Sequence, residues 1–436
     1  MGGPDTFQIQ LEDLGTYFVG QTIRGNVIIS NRELMSNVKN VQIKLFGFGD
    51  VYWTEKEGKT RRSNDNEGYE HYTETVNYKN HEEYISTKCL LHQGPLGAGK
   101  HNFPFSFVIP PNLPNSFEGK YGHVRYFVEA KLERSGFFTF DKKQKQFVTI
   151  NSICDLNSMP NAEKPQTNSN FKTFGFLFWK SEPLSSTLTI PRYGYTSGEN
   201  IQISAVIENM SNKRINSTKA RLYQDVTFRA TNGTKNTSIL LREVVKNGQI
   251  GPHSFDSWEG NSLRIPAIPP SGLGGCRIID ISYRLEFIVI PGGISSDLVV
   301  SLPIMIGNIP LRNSLQSILS TPPNYQNPDI IEWPEDQQES SNREKTTEST
   351  ETPPPYQSYD PSSSSSVDIL QRPSAPPIPL AGYPDLPPPS YEDAIEAYED
   401  GRLNESSGDR DSEHTDTNWN FTPMYPVWSA RSAAPK

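Results

Sequence analysis

Cysteine is scarce in this chain: 436 residues hold three, Cys89, Cys154 and Cys276. With no CxxC pair and no even set, a disulfide framework is not expected, and the composition fits a reducing compartment. Long apolar runs are missing too. None reaches the ~18 residues that a spanning helix needs, and the opening MGGPDTFQIQ has neither the basic cluster nor the apolar centre of a secretory signal. A cytoplasmic protein is the expectation. The seven histidines, at 71, 81, 92, 101, 123, 253 and 414, show no HExxH or other ligand spacing, and no GxSxG elbow occurs. Metal binding, a cofactor and nucleophilic catalysis are therefore not expected.

One enzymatic motif comes close. Gly94-Pro95-Leu96-Gly97-Ala98-Gly99-Lys100-His101 satisfies GxxxxGK but ends in His. A phosphate-binding loop needs Ser or Thr there for Mg²⁺, and a helix whose N-terminus faces the phosphates. The next ten residues, NFPFSFVIPP, are strand-like, with Pro104 where a helix would make its first turn. The stretch reads as a turn between strands, and the chain as a non-enzyme.

The charge is uneven. Residues 312–436 carry 21 Asp plus Glu against 8 Lys plus Arg, and 19 of the 36 prolines. The remainder, with 29 acids and 33 bases, is close to neutral. No basic stripe suits nucleic acid, and the acidic, proline-rich end has the composition of a disordered tail.

What is abundant is period-two alternation in short runs. FQIQL, TIRGNVIIS, VKNVQIKLF, HVRYFVEAKL and QFVTINSI read as strands of a sandwich. Residues 155–182 begin with DLNSMPNAEKPQTNSNFK, polar and broken by Pro160 and Pro165, and read as a linker and inter-domain crossing. Its end, FKTFGFLFW, reads as a strand or crossing segment that covers apolar surface between two sandwiches. Then the pattern restarts. Tyr17-Phe18-Val19-Gly20 is echoed 178 residues later by Tyr195-Thr196-Ser197-Gly198, and Ile29 with Asn31 by Ile207 with Asn209. Ile109-Pro110-Pro111 before Tyr126 is matched by Ile268-Pro269-Pro270 before Tyr283. A repeat this long is two copies of one domain, not a solenoid unit. Cys89, among strand-like residues, reads as a small buried hydrophobe.

The tail carries three PPxY tetrapeptides, the ligand type of WW domains: Pro322-Pro323-Asn324-Tyr325, Pro353-Pro354-Pro355-Tyr356 and Pro388-Pro389-Ser390-Tyr391. Proline fixes φ, so each pre-forms a polyproline II ridge that loses little entropy on docking. The three tyrosines lie 31 and 35 positions apart along chain expected to be unstructured, about 30 Å by random-coil scaling. After Tyr391, EDAIEAYED is expected as a short helix capped by Ser390, marginal in water on its own. Pro373-Ser374-Ala375-Pro376 is a further short proline motif.

Over roughly residues 5–309 the chain resembles the alpha-arrestins, the arrestin domain-containing proteins. YFVGQTIRGNVII, the block GPLGAGKHNFPFSFVIPPNLPNSFEGKYGHVRYFVEA, and GYTSGENIQISAVIEN carry the resemblance. It implies an all-β fold of two tandem arrestin-like, immunoglobulin-type β-sandwiches at 5–154 and 183–309, followed by a disordered Pro-rich acidic tail at 310–436. It also implies an adaptor, in which the arrestin module engages membrane receptor or transporter cargo. The PPxY prolines and Tyr325, Tyr356 and Tyr391 would recruit HECT-type ubiquitin ligases through their WW domains, promoting ubiquitination, endocytosis and endosomal sorting. Pro373, Ser374, Ala375 and Pro376 resemble a ligand of the ubiquitin-E2-variant domain of ESCRT-I, as in the family member associated with vesicle budding at the plasma membrane. Association with plasma membrane and endosomes would be peripheral, through partners.

Overall fold

A computed structural model describes residues 4–62, 69–136, 140–176, 179–314, 389–393 and 421–428. The alternating runs become nine strands in the first sandwich: β1 (Thr6–Leu11), β2 (Thr16–Phe18), β3 (Thr22–Asn31), β4 (Val38–Arg62), β5 (Tyr69–Gln93), β6 (Gly99–Val108), β7 (Phe117–Gly119), β8 (Gly122–Arg134) and β9 (Lys142–Asn151). One sheet runs β1-β3-β6, the other β2-β9-β8-β4-β5 with β7 beside β8. Every second residue points into the space between sheets, so Val124, Tyr126, Val128, Ala130 and Leu132 of β8 are buried. Each large apolar side chain so buried contributes on the order of 1.5–3 kcal/mol.

The second sandwich repeats the plan with β10 (Gln166–Lys172), the short pair β11 (Gly175–Phe176) and β12 (Trp179–Lys180), β13 (Leu184–Ile190), β14 (Gly194–Thr196), β15 (Asn200–Asn209), β16 (Ile215–Ala230), β17 (Gly233–Ile250), β18 (Ser254–Arg264), β19 (Ile279–Pro291) and β20 (Leu298–Gly307). Its sheets run β10-β13-β15-β18 and β14-β20-β19-β16-β17. Strand β15 alternates exposed and buried without a break, the pattern of a sheet with one wet face.

The repeat seen in the sequence is a repeat of jobs. Asn31 Nδ2 donates to Glu33 O and Gly97 O, both at 2.7 Å, and Asn209 Nδ2 donates to Lys213 O at 2.8 Å and Gly251 O at 2.7 Å. Tyr126 Oη donates to Pro114 O and Tyr283 Oη to Pro269 O, each at 2.7 Å. Gly20 and Gly198 take φ of 84° and 91°, a left-handed turn that glycine adopts without cost. Their amides donate to Ile109 O and Ile265 O, each at 2.9 Å. In each copy a serine hydroxyl, Ser116 or Ser271, accepts from the amide of the core isoleucine facing it, Ile150 or Ile306.

Three expectations are corrected. The stretch read as linker contains a strand: β10 pairs along its whole length with β13, Gln166 opposite Ile190 and Lys172 opposite Leu184. The side chains of Asn168 and Asn170 reach across to cap Ser301 O and Val299 O of β20 at 2.9 and 2.8 Å, which blocks that sheet edge. Polar strands of this kind carry no alternation to read. Within FKTFGFLFW, Phe174 is buried against the core but Phe171 is 69% exposed, so the segment is only partly a cover. Cys89 is exposed, on β5, the edge strand of its sheet.

The near-P-loop is a turn between strands: β5 ends at Gln93, β6 starts at Gly99, and Gly94 and Gly99 take φ of 97° and 125°. Pro104 sits on β6, an edge strand, where proline is tolerated.

Candidate functional site

Two regions bear on function: the short motifs of the tail, and the seam between the sandwiches. Pro322, Pro323, Tyr325, Pro353, Pro354, Tyr356, Pro373, Ser374, Ala375, Pro376 and Pro388 all lie outside the described residues. Pro389 and Tyr391 lie within them, and their environment differs from the expectation. Instead of capping a helix, Ser390 opens a strand, β21 (Ser390–Asp393), paired antiparallel with β22 (Met424–Val427). Tyr391 stands opposite Pro426. Its phenol is half-buried, and desolvation pushes its pKa up. A helix needs bonds within EDAIEAYED; here the backbone at 390–393 finds its partners in residues 424–427, a non-local choice that propensity does not reveal.

The expectation of one continuous unstructured tail fails at these two segments. Residues 421–428, FTPMYPVW, lie along the seam, which is built from the exit strands of both sandwiches. Past β9, Cys154 N donates to Asn308 Oδ1 at 2.7 Å and Asn308 N to Cys154 O at 3.0 Å. Asn308 Nδ2 also donates to Ser152 O, and Asn157 Nδ2 to Pro310 O at 2.9 Å. A single turn at Leu156–Ser158, capped by Asp155, drops Leu156 into a small cluster with Ala162 and Leu311.

On this zipped base the tail segment makes contacts to both domains. From the first sandwich, Ser116 O accepts from Tyr425 Oη at 3.0 Å, Thr149 Oγ1 accepts from Met424 N at 3.2 Å, and Asn151 Nδ2 donates to Met424 O at 3.3 Å. From the second, Ser197 O accepts from Trp428 N at 2.9 Å, and Asn308 O, just past β20, from Trp428 Nε1 at 3.1 Å. Tyr425, Val427 and Trp428 are 1%, 2% and 3% exposed. Gly198 is what lets the segment come so close, since a Cβ there would lie 2.6 Å from Trp428 O. Phe421 stacks on Phe147 of β9, centroids 5.2 Å apart.

Further along the inter-domain contact, Tyr121 meets Phe228 edge-on at 5.7 Å. Thr231 N donates to Lys79 O at 3.1 Å, and Arg277 Nε donates to Glu82 Oε1 at 2.7 Å. Burial would raise the Glu82 carboxyl, but the Arg277 amide and guanidinium and the Tyr84 hydroxyl together hold it below the ordinary glutamate range. A folded-state pKa below the unfolded one gives stability that is complete above the ordinary value of about 4.3 and is lost as pH falls through the folded value. The stability gap between native chain and Glu82→Gln is accordingly expected to be larger at about pH 6 than at about pH 3. Chemical unfolding at both pH values measures it, and a gap independent of pH would contradict the assignment.

These groups bind and hold. Burial pushes the Cys154 thiol up to about 11 and the Cys276 thiol up as well, so neither is a ready thiolate at neutral pH. Among the described residues no cluster of His, Cys, Asp or Glu is placed to hold a metal ion, and no helix is long and apolar enough to cross a membrane.

Twin sandwiches joined through their exit strands define a tandem arrestin-type scaffold. Residues 6–157 match the family "Arrestin (or S-antigen), N-terminal domain" and residues 180–311 "Arrestin (or S-antigen), C-terminal domain". The chain is 33% identical over 325 residues to Arrestin domain-containing protein 17 of Caenorhabditis elegans, covering 70% of this chain and 71% of that protein. It is 32% identical over 308 residues to human Arrestin domain-containing protein 4, covering 69% and 70%. With Arrestin domain-containing protein 1 of Mus musculus the identity is 31% over 233 residues, covering 53% and 51%. The chain belongs to the arrestin domain-containing proteins, the alpha-arrestins.

Proposed function

We propose that this protein is a non-enzymatic adaptor whose arrestin module engages membrane protein cargo while its tail recruits HECT-type ubiquitin ligases. The observation that carries the reading is the placement of three PPxY motifs, ending in Tyr325, Tyr356 and Tyr391, all in the tail beyond an arrestin-family scaffold. Each motif suits the aromatic groove of a WW domain. Several on one chain let a ligase with multiple WW domains bind with avidity ~10² or more above a single weak site. The outcome would be ubiquitination, endocytosis and endosomal sorting of cargo, with the protein recruited from the cytoplasm to plasma membrane and endosomes by its partners.

A second, compatible reading is favoured by Pro373-Ser374-Ala375-Pro376: recruitment of the ubiquitin-E2-variant domain of ESCRT-I for budding at the plasma membrane. Titrating intact chain with that domain and with a multi-WW ligase fragment separates the two. Replacing Pro373 and Pro376 by Ala is expected to abolish binding of the first and leave the second unchanged. Undiminished binding of the E2-variant domain would exclude the tetrapeptide as its ligand.

A further inference from the structure

The Ser390–Tyr391 end of the third PPxY motif is held in a backbone form that a WW domain does not take. Recognition of this ligand type uses a polyproline II ridge with the tyrosine ring inserted into an aromatic groove. Here Pro389 is buried, Ser390 to Asp393 form β21, and Ser390 Oγ donates to Val427 O at 3.2 Å. Tyr391 faces Pro426 across the ribbon, its phenol partly out of water. The same backbone cannot be both β-ladder and polyproline ridge.

A two-stranded ribbon alone is marginal in water, so what holds this one is its second strand. Residues 424–428 are fastened to both sandwiches: Tyr425 by Ser116 O, the backbone of Met424 by Thr149 and Asn151, and Trp428 by Ser197 O and Asn308 O. Tyr425 and Val427 form their own apolar cluster with Ala267 of the second domain. The anchor belongs to the seam, and the masking of Tyr391 is a consequence of the anchor.

We propose that residues 421–428 act as an intramolecular cover that withholds the Tyr391 motif, so that WW binding at this site requires release of the C-terminal strand from the seam. The inference rests on the adaptor reading above and adds regulation to it: the three motifs are unequal, with Tyr391 conditional on the seam. Because coupling between two equilibria is reciprocal, a WW domain seated on Tyr391 also frees the groove formed by Thr149, Asn151, Ser116, Ser197 and Asn308.

The test uses full-length chain carrying Tyr325→Ala and Tyr356→Ala, so that Tyr391 is the one PPxY tyrosine left. It is titrated calorimetrically with a single WW domain, beside a free peptide of residues 383–396. If the open form is a minor fraction, apparent affinity falls by that fraction, and the chain is expected to bind about tenfold or more below the peptide. Adding Trp428→Ala, or ending the chain after Asn420, is expected to bring affinity up to that of the peptide. Residues 421–428 lie outside the strands of both sandwiches, and unfolding curves verify that both variants remain folded. Amide exchange at 390–393, slow in the parent chain and fast in both variants, reports the same release without any ligand. Equal affinity for peptide, parent chain and variants overturns the masking and leaves the adaptor reading standing. A peptide that does not bind the WW domain at all removes Tyr391 from the adaptor reading, and the masking with it.

Discussion

Replacing Tyr325, Tyr356 and Tyr391 together by Ala is expected to reduce binding of a multi-WW HECT ligase fragment to background, a loss of at least ~10² in affinity. In the proposed mechanism each tyrosine would supply the ring that fills a WW groove, which the flanking prolines alone would leave empty. Single replacements should cost far less, because the remaining motifs keep the ligase tethered at high effective concentration. The seam adds an asymmetry: Tyr391→Ala is expected to have the smallest single effect in the intact chain, since Ser390 and Tyr391 pair as a strand with β22. Surface plasmon resonance on the intact chain, one variant at a time, reads all four numbers. Undiminished binding by the triple variant would contradict the recruitment mechanism.

The largest structural effect is expected at Trp258. This side chain is fully buried in the second sandwich, edge-on to Phe287 at 5.1 Å, and its Nε1 donates to Thr218 Oγ1 at 2.8 Å. Trp258→Ala opens a cavity between the two sheets at a cost of about 3–5 kcal/mol, and leaves the Thr218 hydroxyl without its donor at a further ~1–3 kcal/mol. Losses of this size are comparable to the whole stability of many domains. The second sandwich should lose its cooperative unfolding transition or shift it to much lower denaturant, which intrinsic fluorescence and circular dichroism follow. Trp258→Phe keeps most of the volume and should recover a large part of the loss. A midpoint unmoved by Trp258→Ala would show that the ring is not a core member.

The sandwiches were readable because their signals are local. Alternation in HVRYFVEAKL names the buried side of β8, and the echo of Tyr17, Gly20 and Asn31 at Tyr195, Gly198 and Asn209 marks positions doing identical work in both copies. Strand β10 escaped notice because QTNSNFK is polar on both faces; its asparagines serve the edge of β20, not a core. Cys89 differs from its expectation for a related reason, since strand-like neighbours do not say that β5 is the edge strand of its sheet.

The tail shows the limit more sharply. Proline-rich acidic composition accounts for most of residues 312–436, and FTPMYPVW looks at first like more of the same. Its partners, Ser116, Thr149, Asn151, Ser197 and Asn308, lie 120 to 309 positions away. No period or propensity encodes contacts of that span. A signal was nonetheless present: Tyr425, Val427 and Trp428 place three large apolar side chains in four residues of an otherwise polar stretch, a density that solvent-exposed tails rarely carry. The PPxY motifs themselves were legible because polyproline geometry is written in the residues. That the end of one of them pairs as a strand was not, because its partner, Met424–Val427, lies far along the chain from Tyr391.

The most direct measurement of the account is ubiquitin transfer to a membrane protein that the sandwiches engage, reconstituted with a HECT ligase and either intact chain or the Tyr325, Tyr356 and Tyr391 triple Ala variant. Intact chain should raise transfer well above the ligase alone, and the triple variant, with sandwiches still folded and cargo still bound, should return it to that baseline. Transfer that proceeds equally with both would mean that the tail does not bring ligase to cargo, and the adaptor account would be wrong.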